Sequence, residues 1–98
     1  MVTEKERQAY ADKLRAEIEE WNAEIGLLRA KAKSATADTR IEYERHINDL
    51  EKRRDELDAK LEEISQSGSG AWDDIKRGAD RAWKEMSDAV KNAVNRFQ

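Results

Sequence analysis

Residues 34–39 read Ser34-Ala35-Thr36-Ala37-Asp38-Thr39, and this stretch decides the fold because a helical segment lies on each side of it. Thr39 with Glu42 forms a capping box, and Asp38 is also a favoured N-cap residue, so a new helix is expected to start here after a short turn. The stretch has no Gly or Pro, which leaves one continuous rod of about 60 residues as the alternative. We favour the turn, because a rod needs a second molecule to cover its apolar stripe.

The segment before this stretch, from about residue 3 to 34, is predicted to be one long helix. Thr3 and Glu6 form a capping box at its start. Apolar residues then recur every three or four positions, which is the spacing of a coiled-coil seam. The seam residues are Tyr10, Leu14, Ile18, Trp21, Ile25, Leu28, Ala32 and Ala35.

The segment after it, from about 39 to 65, has a second seam of the same kind, in which Arg54 takes one position. Its apolar members are Tyr43, Ile47, Leu50, Leu57, Leu61 and Ile64. Because the two segments match in length, they are predicted to fold as an antiparallel coiled-coil hairpin over residues 3–65, with its turn near 34–39.

Residues 66–70 are rich in Gly and Ser and are expected to form a flexible linker. Residues 71–97 beyond it contain an eleven-residue repeat: Ala71-Trp72 opens the first copy, Ala82-Trp83 the second, and Ala93-Val94 a shortened third. Eleven residues make three helical turns, so equivalent positions of the copies fall on one face. The segment is therefore predicted to be a strongly amphipathic helix, with Ser69 or Gly70 as its N-cap.

Two uses of that apolar face remain open. The helix can fold back into the groove of the hairpin and complete an all-α, three-helix-bundle-like structure, or the chain can stay extended. Alternatively the face binds lipid, since the repeat resembles those of exchangeable apolipoproteins and other lipid-surface proteins. Six basic and five acidic residues give the segment a charge of only +1, so no strong attraction to anionic lipid is expected.

Composition excludes several classes of protein. The chain has no Cys, so it forms no disulfide or thiolate site, and its formal charge of -3 argues against general nucleic-acid binding. It shows no signal peptide and no apolar run of membrane-spanning length, so a cytoplasmic protein is expected, with peripheral membrane attachment as a further option. Charged residues make up 42% and Pro is absent, which is typical of long helices.

The titratable residues form no recognisable catalytic pattern. His46 is the only histidine, and its spacing from Glu42 is better explained as a solvated pair than as a metal site. The basic triplet at 52–54 is flanked by carboxylates, which is typical of a helix surface rather than a nucleic-acid site. We therefore expect a non-enzymatic protein without cofactor, metal or small-molecule substrate.

Several elements together resemble a group of short bacterial coiled-coil proteins. They are Tyr10, Leu14, Glu20-Trp21-Asn22-Ala23-Glu24-Ile25, Ala30-Lys31-Ala32-Lys33, Ile41-Glu42-Tyr43, Ile47, Leu50, the two Ala-Trp pairs and Arg96-Phe97. The resemblance implies a soluble bacterial protein and supplies no catalytic residues.

The sequence favours a helical interaction or scaffold protein that forms a homo-oligomer through its coiled-coil seams, with lipid- or granule-surface binding through residues 71–97 as the alternative. The residues expected to make these contacts are Trp21, Leu28, Ile47, Leu50, Leu57, Leu61, Trp72, Ile75, Trp83, Met86, Val90 and Phe97.

Overall fold

A computed structural model describes residues 3–66 and 69–97, and throughout these residues the chain is all-α. Helix α1 spans Glu4–Lys33, α2 spans Ala37–Gln66 and α3 spans Trp72–Arg96, with a single 3₁₀ turn at Ser69–Ala71 before α3. The predicted hairpin and third helix are confirmed. Residues 67 and 68, in the middle of the predicted linker, lie outside the described residues.

The turn between α1 and α2 is shorter than predicted. At the start of α1, the hydroxyl of Thr3 accepts a hydrogen bond from the amide of Glu6, as expected from the capping box. Helix α2, however, already begins at Ala37, and the hydroxyl of Thr36 accepts from the amide of Thr39 at 3.5 Å. The assignment of Thr39 or Asp38 as the cap was therefore wrong, because Thr36 already occupies the position just before the helix.

Arg40 ties the two helices together at this turn. Its guanidinium donates to the backbone carbonyls of Ala32, Lys33 and Ala35, at 3.2 to 3.5 Å. These carbonyls lie at and just beyond the end of α1, where the helix no longer supplies its regular amide partners; the carbonyl of Ala32 also accepts from the amide of Ala35. A side chain near the start of α2 thus closes the C-terminus of α1.

The three helices pack side by side around a core that runs the length of a 53 × 19 × 18 Å molecule. Helix α2 runs antiparallel to α1, and α3 runs antiparallel to α2. The fully buried side chains come from all three helices, and among the described residues none of the buried ones is polar or charged. The largest of them are Leu14, Ile25, Leu50, Leu57, Ile64 and Met86.

Helix α3 starts differently from the prediction. Its N-cap position is Ala71, which makes no side-chain capping bond, because the 3₁₀ turn at Ser69–Ala71 leads directly into the helix. The prediction of Ser69 or Gly70 as the N-cap was wrong by one to two residues. Asp73 and Asp74 lie in the first turn, where their negative charges favour the helix N-terminus.

Candidate functional site

The groove between α1 and α2 holds the apolar face of α3, and this pairing of helix and groove is the most distinctive feature of the molecule. Every residue that the repeat placed on that face belongs to the core or packs against it. The buried ones are Trp72, Ala79, Met86, Val90 and Ala93, and the partly buried ones include Ile75, Trp83, Val94 and Phe97.

The hairpin supplies the other side of the groove. Six hairpin residues were predicted to make contacts between copies of the chain: Trp21, Leu28, Ile47, Leu50, Leu57 and Leu61. All but Leu61 are buried within one chain, and Leu61 packs against the same core. The two seams are therefore covered by the chain's own helices.

Helix α3 follows α2 closely along its whole length. Arg53 of α2 lies 3.7 Å from the carboxylate of Glu85, and the side-chain stem of Lys60 lies over Gly78. Helix α2 carries six basic and ten acidic residues, whereas residues 71–97 carry six basic and five acidic ones. The opposite net charges of the two segments favour this pairing, although each exposed ion pair contributes little by itself.

Aromatic stacking fixes the C-terminal end of α3 on the hairpin. The ring of Phe97 lies parallel to that of Tyr43, with 3.8 Å between the centroids, and it meets His46 edge-on at 5.3 Å. The guanidinium of Arg96 lies 2.6 Å from the carboxylate of Glu42. His46, which was predicted to form a solvated pair with Glu42, thus contacts an aromatic ring.

Aromatic rings make several of the contacts between α3 and α1. Tyr10 packs edge-on against Trp72 at 5.5 Å between centroids and contacts Trp83 at 6.1 Å. Trp83 also meets Trp21 edge-on at 6.4 Å, and the ammonium group of Lys13 lies 5.4 Å from its ring centre. Large rings thus span the space between α1 and α3.

A hydrogen bond from Tyr10 to Asp80, 2.5 Å long, is part of this attachment. Burial raises the pKa of the Tyr10 hydroxyl well above its ordinary value, and the hydrogen bond and negative charge of Asp80 raise it further. Partial burial acts to raise the pKa of Asp80, but hydrogen bonds from Lys76 and Tyr10, with the charges of Lys76 and Lys13, outweigh it and lower this pKa.

Replacing Tyr10 with Phe removes this hydrogen bond and keeps the ring, so we expect the free energy of unfolding to fall by about 1 kcal/mol at pH 7. Because the pKa of Asp80 is lowered in the folded protein, its ionised carboxylate stabilises the fold above pH 3.8. This stabilisation is lost as the pH falls through the pKa of Asp80 in the folded protein. Because the pKa of Tyr10 is raised in the folded protein, its neutral hydroxyl contributes to the stability of the fold below pH 10, and this contribution is lost as the pH rises above 10.

Urea unfolding of wild type and Tyr10→Phe from pH 3 to pH 11 measures this difference. The advantage of the wild type should be largest between these two limits and should shrink on both sides. Equal stability of the two proteins at pH 7 would show that the hydrogen bond does not help to hold α3.

Among the described residues no group of three or more His, Asp or Glu side chains is placed to hold a metal ion, and no helix is both long and apolar enough to cross a membrane. The basic triplet at 52–54 is largely engaged with neighbours: Arg53 pairs with Asp49, and Arg54 donates to Asn22 and Asp55. The bond to Asn22 joins α2 to α1 and explains why a charged residue fits in the second seam.

Some contacts of the site were not predicted from the sequence. Ala11 is buried although it lies outside the predicted seam, and the bond from Tyr10 to Asp80 joins residues 70 positions apart. Comparisons with protein-family models, curated proteins and solved structures gave no match.

Proposed function

We propose that this chain is a non-enzymatic helical interaction protein that self-associates by exchanging α3 between copies. The observation that supports this most is the fit of α3 to the hairpin groove, in which apolar, aromatic and ionic contacts are matched along the entire helix. A second copy of the hairpin offers the same groove. The exchanged form therefore repeats every contact of the closed form.

The balance between the closed and exchanged forms depends on concentration and on the linker. Because the contacts are the same, exchange changes the free energy chiefly through the linker conformation and the cost of joining two chains. Exchange uses the seams as contacts between copies, which is the role that the sequence predicted for them. It also keeps the apolar face of α3 covered in both forms.

Cross-linking between two different chains tests exchange directly, because the protein has no native Cys. Glu42→Cys in one chain and Arg96→Cys in a second, larger tagged chain are mixed and treated with a short bismaleimide. Both positions are outside the buried core, and their native side chains are in contact. If α3 exchanges, mixed-size cross-linked dimers form and increase with protein concentration.

The matched control replaces Glu42→Cys with Glu62→Cys, which lies on the same helix 20 positions away, or about 30 Å. Exchange predicts little mixed product with this partner. Equal yields from the two mixtures would indicate random collision, and no mixed product at millimolar concentration would show that α3 stays in its own groove. Either result contradicts the proposal.

A second candidate function is binding of α3 to a lipid surface. It is supported by the three aromatic residues Trp72, Trp83 and Phe97 on one apolar face, since such rings favour the boundary between lipid and water. Binding requires α3 to leave the groove and to carry its tryptophans into the lipid. Vesicles of neutral lipid should then shift tryptophan emission to shorter wavelength, and unchanged emission with neutral and anionic vesicles would rule this function out.

A further inference from the structure

The side of α1 that faces away from the core has an exposed apolar centre. Leu27 is 50% exposed, one of only two large apolar side chains in the described residues with so much open surface. Beside it, a Cβ atom added to Gly26 would meet no atom within 4 Å. Ala23 and Ala30, one turn to either side, are also exposed. We call the surface formed by residues 16–33 on this side the outer face of α1.

The charges on and beside the outer face are separated by sign along the helix. Glu19 and Glu20 lie on the N-terminal side of Leu27, and Lys31 and Lys33 lie on its C-terminal side. All four are exposed, and within the described residues none of them takes part in an ion pair. In contrast, the neighbouring Arg29 pairs with Glu51 of α2. Two free carboxylates and two free ammonium groups thus lie about 18 Å apart on one side of the helix.

We propose that the outer face of α1 binds the same face of a second copy, in antiparallel orientation, about a twofold axis near Gly26. This arrangement places Glu19 and Glu20 of each copy close to Lys31 and Lys33 of the other, at both ends of the contact. Because the interface is isologous, each favourable pairing occurs twice. A parallel arrangement in register would instead bring like charges together.

The shape of the outer face of α1 also fits the antiparallel arrangement. Near the twofold axis, Leu27 of one copy lies over the surface of Gly26, Ala23 and Ala30 of the other. These residues have little or no side chain, so two helices can approach at the short end of the usual 8–10 Å range of interaxial distances. Contact along one helix gives an interface at the low end of specific interfaces, so the dimer is expected to be weak and to form at high concentration.

A second copy explains the face better than a lipid surface does. Glu19 and Glu20 lie on the same side of α1 as the exposed Leu27, about two turns away, and their charges would have to enter the lipid boundary with it. The dimer contact does not depend on exchange of α3, since α3 packs on the opposite side of α1. The two contacts together would join copies into larger assemblies.

Paired charge reversals test this interface with the full chain. Glu19→Lys/Glu20→Lys makes the outer face entirely basic, and Lys31→Glu/Lys33→Glu makes it entirely acidic. Each variant alone should associate at least about tenfold more weakly than wild type in sedimentation equilibrium at low salt, because its faces repel one another. A one-to-one mixture of the two variants should restore association, and high salt should reduce the difference.

A matched control variant, Glu62→Lys/Glu63→Lys, makes the same change in net charge as Glu19→Lys/Glu20→Lys but at exposed positions of α2. It should associate like wild type. Leu27→Lys should weaken association without changing the helical circular dichroism, because Leu27 lies outside the core.

The proposed interface is overturned if the wild type stays monomeric at millimolar concentration, if either reversed variant associates as strongly as wild type, or if the mixture associates no better than its parts. Cross-linking of the Glu42→Cys and Arg96→Cys variants reports on α3 separately, so failure of this interface and failure of exchange can be distinguished.

Discussion

Leu57→Ala is expected to lower the free energy of unfolding by about 2–5 kcal/mol, the range found when a buried Leu is shortened to Ala. Leu57 is 0% exposed and belongs to the single core formed by the three helices. Removing its side chain loses the hydrophobic contribution of the missing atoms and leaves a cavity between helices that cannot close fully. Small helical domains have only about 5–15 kcal/mol of stability, so this one substitution removes a large share.

Urea or thermal unfolding followed by circular dichroism measures the effect, and Ile41→Ala provides the matched control on the same helix. Ile41 is 50% exposed, and Ala is the better helix former, so its replacement should cost less than about 1 kcal/mol. Similar losses in the two variants would mean that the seam of α2 is not buried in the way described.

Trp72→Ala combined with Trp83→Ala is expected to have the larger effect. Trp72 is 5% exposed and packs against Tyr10, and replacing a buried Trp with Ala costs about 3–5 kcal/mol. Trp83 is only partly buried, so it should add a smaller amount. Each kcal/mol corresponds to about 4–8 °C in Tm for a domain of this size, so the double variant should melt at least about 12 °C lower than wild type.

The control for this experiment is Trp72→Phe with Trp83→Phe, which keeps an aromatic ring at each position and should recover part of the lost Tm. A double Ala variant with an unchanged Tm would mean that the apolar face of α3 is not packed on the hairpin in the free protein. That result would favour a helix whose aromatic face binds another surface, such as lipid, rather than the hairpin.

The seams were predictable from the sequence because burial in a helical bundle follows the period of the helix. Leu14, Ile18, Trp21, Ile25 and Leu28 recur at alternating spacings of four and three, and all are buried. The repeat of residues 71–97 likewise identified the apolar face of α3, since eleven residues complete three turns whatever the helix packs against. Such patterns fix which side of a helix is covered.

The details of contact between helices were less predictable, since they depend on which residues a fold brings together. Arg40 closes the C-terminus of α1 from the next helix, and nothing in its local sequence distinguishes it from another Arg of α2 such as Arg45. The bond between Tyr10 and Asp80 depends on the position of α3 along α1. The start of α2 was placed two residues too late because Thr36, Asp38 and Thr39 are all acceptable capping residues.

The residues of the candidate site could be predicted from the sequence, but the molecule that covers each of them could not. Trp21, Leu28 and Leu57 were expected to contact a second copy, and within one chain they already belong to the shared core. Periodicity shows that a seam must be covered, but it does not say by which molecule. Within one chain, α3 covers the groove between the two seams. In the proposed exchange, α3 of a second copy makes the same contacts.

Small-angle X-ray scattering over a concentration series, with absolute mass, tests most directly the claim that α3 occupies the groove of its own chain. In dilute solution we expect a mass of 11.3 kDa and a longest dimension near the 53 Å of the bundle plus its hydration layer. The mass should then rise above that of one chain as concentration increases. A dilute-limit profile of an extended chain, with a longest dimension approaching about 90 Å as for a continuous rod of 60 residues, would contradict it.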